Sequence, residues 1–189
     1  MVRRTLPLGT LVIALAAGAG AQTLRVALMD YAGAPSGVLS SGAAMARAAL
    51  HDAGIESTWT ICRFAHDNLL GCDGPAPDAS RSLTLLVMPK MLVRPPALAA
   101  AGLSGRTDPA GYALTGRAAS FQPRAWVFYD VAAPLLGAVL VHEIGHILGL
   151  PHRSRGVMQP NLDPRAPLGP LFSPEEVQRL RQSAAAFRR

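Results

Sequence analysis

Apolar residues in this chain recur in short blocks separated by stretches rich in Gly and Pro, and the spacing inside each block predicts its element. Leu24 to Asp30 reads as a strand, followed by a Gly/Pro loop from Tyr31 to Gly37. Leu39, Ala43, Ala46 and Leu50 recur at helical spacing, which predicts a helix from Val38 to Ala53 that Gly54 stops. Ile55 to Cys62 alternates around Trp59 and Ile61 and reads as a second strand. A strand, helix and strand of these lengths form a crossover unit, so the two strands are expected to be parallel with a right-handed connection. Arg63 to Arg81 is polar and reads as a loop, Ser82 to Met88 as a buried third strand, and Pro89 to Asp108 as a surface excursion. Gly111 to Thr115 is a short, weakly apolar strand, and Arg124 to Val131 a strong one. No internal repeat or interdomain linker is visible.

The next block is apolar on more than one side. Pro134 is placed to open a helix, where its missing amide hydrogen costs nothing, and Leu136, Leu140, Ile144, Ile147 and Leu148 predict that this helix is buried. Ser173-Pro174-Glu175-Glu176 then supplies an N-cap Ser, a Pro at the first helical position and a capping-box Glu for a C-terminal helix running to Phe187.

The buried helix carries the chemistry. It contains His142-Glu143-Ile144-Gly145-His146, with Gly149 and His152 following at three-residue intervals. At 3.6 residues per turn, His142 and His146 lie one turn apart on one face and can reach a single metal ion. Glu143 lies beside them, within reach of a water on that ion. Gly149 can adopt positive φ and end the helix, so that the chain turns back and offers His152 as a third ligand. Three protein nitrogens and one open position describe a catalytic zinc site; a structural zinc takes four protein ligands.

Composition bounds the rest. At 189 residues, half hydrophobic and 16% charged, the chain is one globular domain with ample length for a core. The formal charge is +6, with Lys90 the only lysine among 18 basic residues. These bases are scattered and not interleaved with aromatics, which argues against nucleic acid as a partner. Arg3 and Arg4, an apolar run from Leu6 to Ala17 and the small residues Ala19-Gly20-Ala21 predict a signal peptide over residues 1–21, leaving a domain over 22–189. No second apolar segment reaches spanning length without a charge or a Pro, so the mature protein is expected to be exported, periplasmic or extracellular, and not membrane-bound. Oligomeric state is encoded in no feature of the sequence. Cys62 and Cys72 enclose a short polar loop. In an oxidising compartment they are expected to form a disulfide stabilising by roughly 2–3 kcal/mol, the alternative being a thiol that keeps the metal latent. Asp67, Asn68, Asp73 and Asp78 match no calcium loop, so a calcium site is not supported.

The extended motif, followed by Met158 in a Val-Met-Gln-Pro turn, resembles the metzincin zinc peptidases. The short distance from His152 to Met158 makes it most similar to matrixins, in particular small bacterial matrixin-like proteins. The resemblance implies an α+β, metzincin-like zincin fold: a mixed, mostly parallel five-stranded sheet with two long helices, then a Met-turn and a C-terminal helix. It implies a secreted zinc endopeptidase acting on peptides or proteins, with one Zn2+ held by His142, His146 and His152, Glu143 as general base and Met158 as a structural floor. Gly111, Tyr112, Ala113 and Leu114 would pair with an extended substrate, and Asn161 and Leu162 would wall the pocket beyond the scissile bond. The alternative is a binding protein on the same scaffold that retains zinc with little turnover. Arg153, directly after the third His, fits none of the common metzincin families.

Overall fold

The computed structural model describes residues 23–65, 68–74, 77, 82–89, 111–114, 123–129, 136–162 and 171–187. The expected signal peptide, the excursion after Pro89, Asp67, Asp78, Thr115, the end of the Arg124 strand at Val131 and the helix start at Pro134 lie outside them. Six strands occur in chain order as β1 (Leu24–Asp30), β2 (Ser57–Ala65), β3 (Asn68–Asp73), β4 (Ser82–Pro89), β5 (Gly111–Leu114) and β6 (Arg124–Tyr129). Three helices accompany them among the described residues: α1 (Ser36–Asp52), α2 (Leu136–Ile147) and α3 (Pro174–Phe187).

The strands form one mixed sheet in the order β3-β2-β1-β4-β6-β5. The central pairs β1/β2, β1/β4 and β4/β6 are parallel, as the crossover unit requires for the first of them, and both edge strands are antiparallel to their neighbours. The ladder registers place Val26, Leu28, Trp59, Ile61, Leu83, Leu85, Val87, Ala125, Val127 and Tyr129 on one face, because side chains alternate with period two. That face and the apolar stripe of α1 (Leu39, Ala43, Ala46, Ala49, Leu50) share one core with α2, Met158 and the inner side of α3. Glycines let α1 and α2 approach closely. A Cβ on Gly137 would stand 2.6 Å from the Met45 sulfur, and one on Gly42 would stand 3.2 Å from Leu136.

Among the described residues the sheet has six strands, not five. The stretch after Cys62, expected to be a loop, continues β2 to Ala65 and returns as the edge strand β3. Its register sets Cys72 directly opposite Cys62, and the two are disulfide-bonded. Both Leu69 and Leu70 are exposed, so β3 lacks the buried alternation by which a strand is recognised. Its Asp73 faces Arg63 across the hairpin at 3.6 Å, an exposed pair of little energetic weight. No helix among the described residues is long and apolar enough to cross a membrane.

Asp30, at the end of β1, is 1% exposed and fixes the turn into α1 by accepting the Ala32 and Ala34 amides at 3.0 and 3.1 Å. Burial pushes its carboxyl above the ordinary value of 3.8, outweighing the opposing pull of the Ala34, Ala32 and Gly33 amides and of Arg63. A folded-state pKa above the unfolded one means that Asp30 favours folding when protonated, and that this contribution is lost as pH rises through the folded value. The stability of wild type relative to Asp30→Asn is therefore expected to fall between pH 3 and pH 7. Urea denaturation of both proteins at the two pH values checks this, and a rising difference would contradict it.

Candidate metal centre

Both helix ends that matter are set by glycine. At the end of α1, Gly54 (φ 72°) donates to the His51 carbonyl and Ile55 to that of Leu50, a Schellman motif. The same motif ends the α2 turn. Gly149 (φ 88°) donates to the His146 carbonyl at 2.9 Å and Leu150 to the Gly145 carbonyl at 2.8 Å. The chain thereby reverses within a few residues of His146, and His152 returns to the end of the helix that carries the other two histidines.

The three imidazoles converge through their Nε2 atoms. His146 Nε2 lies 2.9 Å from His142 Nε2 and 3.0 Å from His152 Nε2. Nitrogens around a tetrahedral zinc with bonds of ~2.0–2.1 Å are about 3.3 Å apart, so the spacing is close to what that ion needs. The opposite edges of two rings are pinned by backbone. His142 Nδ1 lies 2.7 Å from the Val157 carbonyl oxygen and His146 Nδ1 lies 2.8 Å from that of Leu150. A carbonyl only accepts, so each Nδ1 carries the hydrogen and each neutral ring turns an Nε2 lone pair toward the shared centre. Two such lone pairs 2.9 Å apart are an arrangement that a shared cation would satisfy. The donor set thus fits zinc on geometry and on tautomer, and it is the one such grouping of His, Cys, Asp or Glu among the described residues.

Burial is graded across the site. Glu143 is 2% exposed and His142 6%, His146 is half-buried and His152 is exposed, so the centre opens to solvent on the His152 side. Met158 is fully buried beneath it, against the helix backbone at Gly145, where a Cβ would stand 2.5 Å from the Met158 sulfur. The turn between is held by the Arg153 amide, which donates to the Met158 carbonyl at 2.8 Å, and by the Val157 amide, which donates to that of Leu171 at 3.3 Å. The expected capping box is present: the Ser173 amide donates to Glu176 Oε2 at 2.8 Å and the Glu176 amide to the Ser173 hydroxyl at 3.3 Å. Glu176 also faces Arg153, with Nε 3.8 Å from Oε1. On the exposed side of the same helix start, Glu175 is held below the ordinary carboxylate range by its backbone amide first, then the Ser173 hydroxyl, with Arg153 adding a smaller pull.

Of the residues expected at a substrate surface, Gly111 to Leu114 form the edge strand β5, antiparallel to β6, and α2 packs against both strands. Ala113 is half-buried; Asn161 is exposed, while Leu162 is half-buried against the core. Gly145 is not singled out by the apolar pattern, although an isolated Gly inside an apolar helix signals a close approach. Glu176 is legible in the sequence as a capping residue, but its pairing with Arg153 is not. The carbonyls of Leu150 and Val157 leave no trace in a side-chain pattern.

The sequence matches no protein-family model and no curated protein. Among solved structures it does find a relative in shape. The fold is similar to that of archaemetzincin from Methanopyrus kandleri. The TM-score is 0.56 at 20% identity, and the match covers 89% of this chain and 99% of that one. At this identity the likeness establishes a shared mixed α and β fold, spanning nearly the whole of both chains. The three-histidine centre stands on its own geometry. The structural likeness is to an archaemetzincin and lends no weight to the more particular similarity to matrixins.

Proposed function

We propose that this chain is a zinc-dependent endopeptidase of metzincin type, made for export and active on peptides or proteins. The observation that carries the reading is the convergence of three histidine Nε2 atoms, two of them with their tautomer fixed by backbone carbonyls, at the solvent-facing end of a buried helix. The likeness in fold to a protein named as a metzincin supports it. His142, His146 and His152 would hold the ion as neutral imidazoles. Zinc in such a site supplies Lewis acidity, lowering the pKa of water toward about 7 and polarising a carbonyl.

Glu143 takes the proton from the attacking water and hands it to the departing amine, as a general base and then a general acid. Its burial beside His142 suits that role, since a carboxylate there is shielded from bulk water and its charge acts at short range. Met158 supports the helix from below through packing alone. The edge of β5 offers backbone donors and acceptors to an extended peptide by strand addition, and Asn161 and Leu162 flank the site beyond the Met-turn.

Incubating the mature protein with a diverse peptide mixture, with and without a chelator, tests the reading. Cleavage at internal bonds that the chelator abolishes and added zinc restores is the expected result. One zinc per chain with no chelator-sensitive cleavage would instead indicate a binding protein on this scaffold.

A further inference from the structure

The three histidines are not carried by equally rigid parts of the chain. His142 and His146 belong to a helix whose residues from Leu136 to Gly145 are all buried, whereas His152 lies in the exposed segment 151–155 beyond the Gly149 turn. We infer that Arg153 and Glu176 form a positioning pair that fixes this segment to the C-terminal helix and so holds His152 at the metal. The inference rests on the zinc reading above.

The geometry runs from the core outward. Leu180 and Ala184 bury the inner side of α3, and Arg181 Nε donates to the Ala53 carbonyl at 2.7 Å, so α3 is anchored to both the core and the end of α1. At the start of that anchored helix, Glu176 is 5% exposed. Its Oε2 is taken by the Ser173 amide, while Oε1 is buried and accepts no hydrogen bond from the described residues. The charge facing this orphan oxygen is Arg153 Nε at 3.8 Å. A buried carboxylate without a full set of donors holds a nearby cation firmly, because separating the two leaves an uncompensated charge. Arg153 is the residue directly after His152, and its own amide closes the turn onto Met158 at 2.8 Å. One residue therefore ties the third ligand both to the Met-turn and to α3. This gives a physical reason for an arginine at a position where its occurrence matched no common metzincin family.

The pair is asymmetric, and that makes it testable. Glu176→Gln keeps a carbonyl oxygen for the Ser173 amide, since Gln serves a capping box as well as Glu does, but removes the charge that faces Arg153. Arg153→Gln removes the cation and leaves the buried carboxylate. Zinc affinity of the full chain, measured by competition with a chromophoric chelator, should fall about tenfold for Glu176→Gln, the lower end of what outer-shell partners contribute. The visible spectrum of the Co2+-loaded variant should shift with the looser third nitrogen, while the melting temperature of its metal-free form stays that of wild type. Because the two residues act as one unit, the double variant Arg153→Gln/Glu176→Gln should bind zinc no more weakly than Arg153→Gln alone. Wild-type zinc affinity in Glu176→Gln, or a double-variant loss equal to the product of the two single losses, overturns the inference and leaves the zinc reading standing. Should Glu176→Gln not fold, the affinity and spectrum of Arg153→Gln decide the matter in its place. Failure of the wild-type chain itself to bind zinc or cobalt removes both.

Discussion

Glu143→Ala should bind one zinc per chain as tightly as wild type and lose turnover by about a thousandfold, the middle of the range that a positioned acid–base group supplies. In the proposed site the three imidazoles are the ligands, and two of them, His142 and His146, are pinned by the main-chain carbonyls of Val157 and Leu150. Removing the carboxylate therefore leaves the ligand set whole and takes away the group that accepts a proton from water. Metal content by emission spectroscopy, together with kcat on a peptide found in the mixture digest, checks both halves. Unchanged kcat would dismiss Glu143 as the base, and lost zinc would mean that its burial is structural. Glu143→Gln separates charge from volume and should be nearly as slow.

The second large effect is expected from Gly145→Ala. In an ordinary helix this change stabilises by about 1 kcal/mol. Here the new Cβ would stand 2.5 Å from the sulfur of a fully buried Met158, with the Met158 Cε at 3.1 Å and Leu150 Cδ1 at 3.5 Å. Overpacking of this kind costs about 3 kcal/mol at the upper end of its usual range, so the clash outweighs the propensity gain and a net loss of about 2 kcal/mol is expected. For a chain of this size that corresponds to a drop of about 4–8 °C in Tm. Met158 is bonded in sequence to Val157, whose carbonyl orients His142, so zinc affinity should fall as well. Shortening Met158 to Ala costs stability through the cavity it opens, but in the Gly145→Ala background it should cost less than it does alone. A stabilised Gly145→Ala protein would show that Met158 does not pack where the structure puts it.

Both experiments concern residues on α2, and they divide according to what the sequence made legible. The place of Glu143 beside the histidines was readable because it follows from spacing alone: adjacent positions and one-turn intervals on a helix are fixed by geometry. The same holds for the five strands found from apolar blocks and for Gly54 and Gly149, where positive φ does what only Gly does cheaply. The unread parts depend on partners far along the chain. The constraint on Gly145 comes from Met158, and the second task of Glu176 comes from Arg153. Strand β3 escaped notice because an edge strand with Leu69 and Leu70 both exposed has no alternating pattern, and only its pairing across the Cys62–Cys72 bridge defines it.

The two carbonyls behind His142 and His146 have a consequence for how this centre can vary. Where a metal-binding histidine leans on a carboxylate, one codon change can delete that partner and acid can titrate it. Main-chain oxygens at Val157 and Leu150 have neither vulnerability. Their orientation is inherited from the shape of the turn at Gly149 and of the chain entering Met158, whatever side chains stand at 150 and 157. A lineage carrying this centre is free to replace those two side chains with others that fill the same volume, without disturbing the protonation pattern of its ligands.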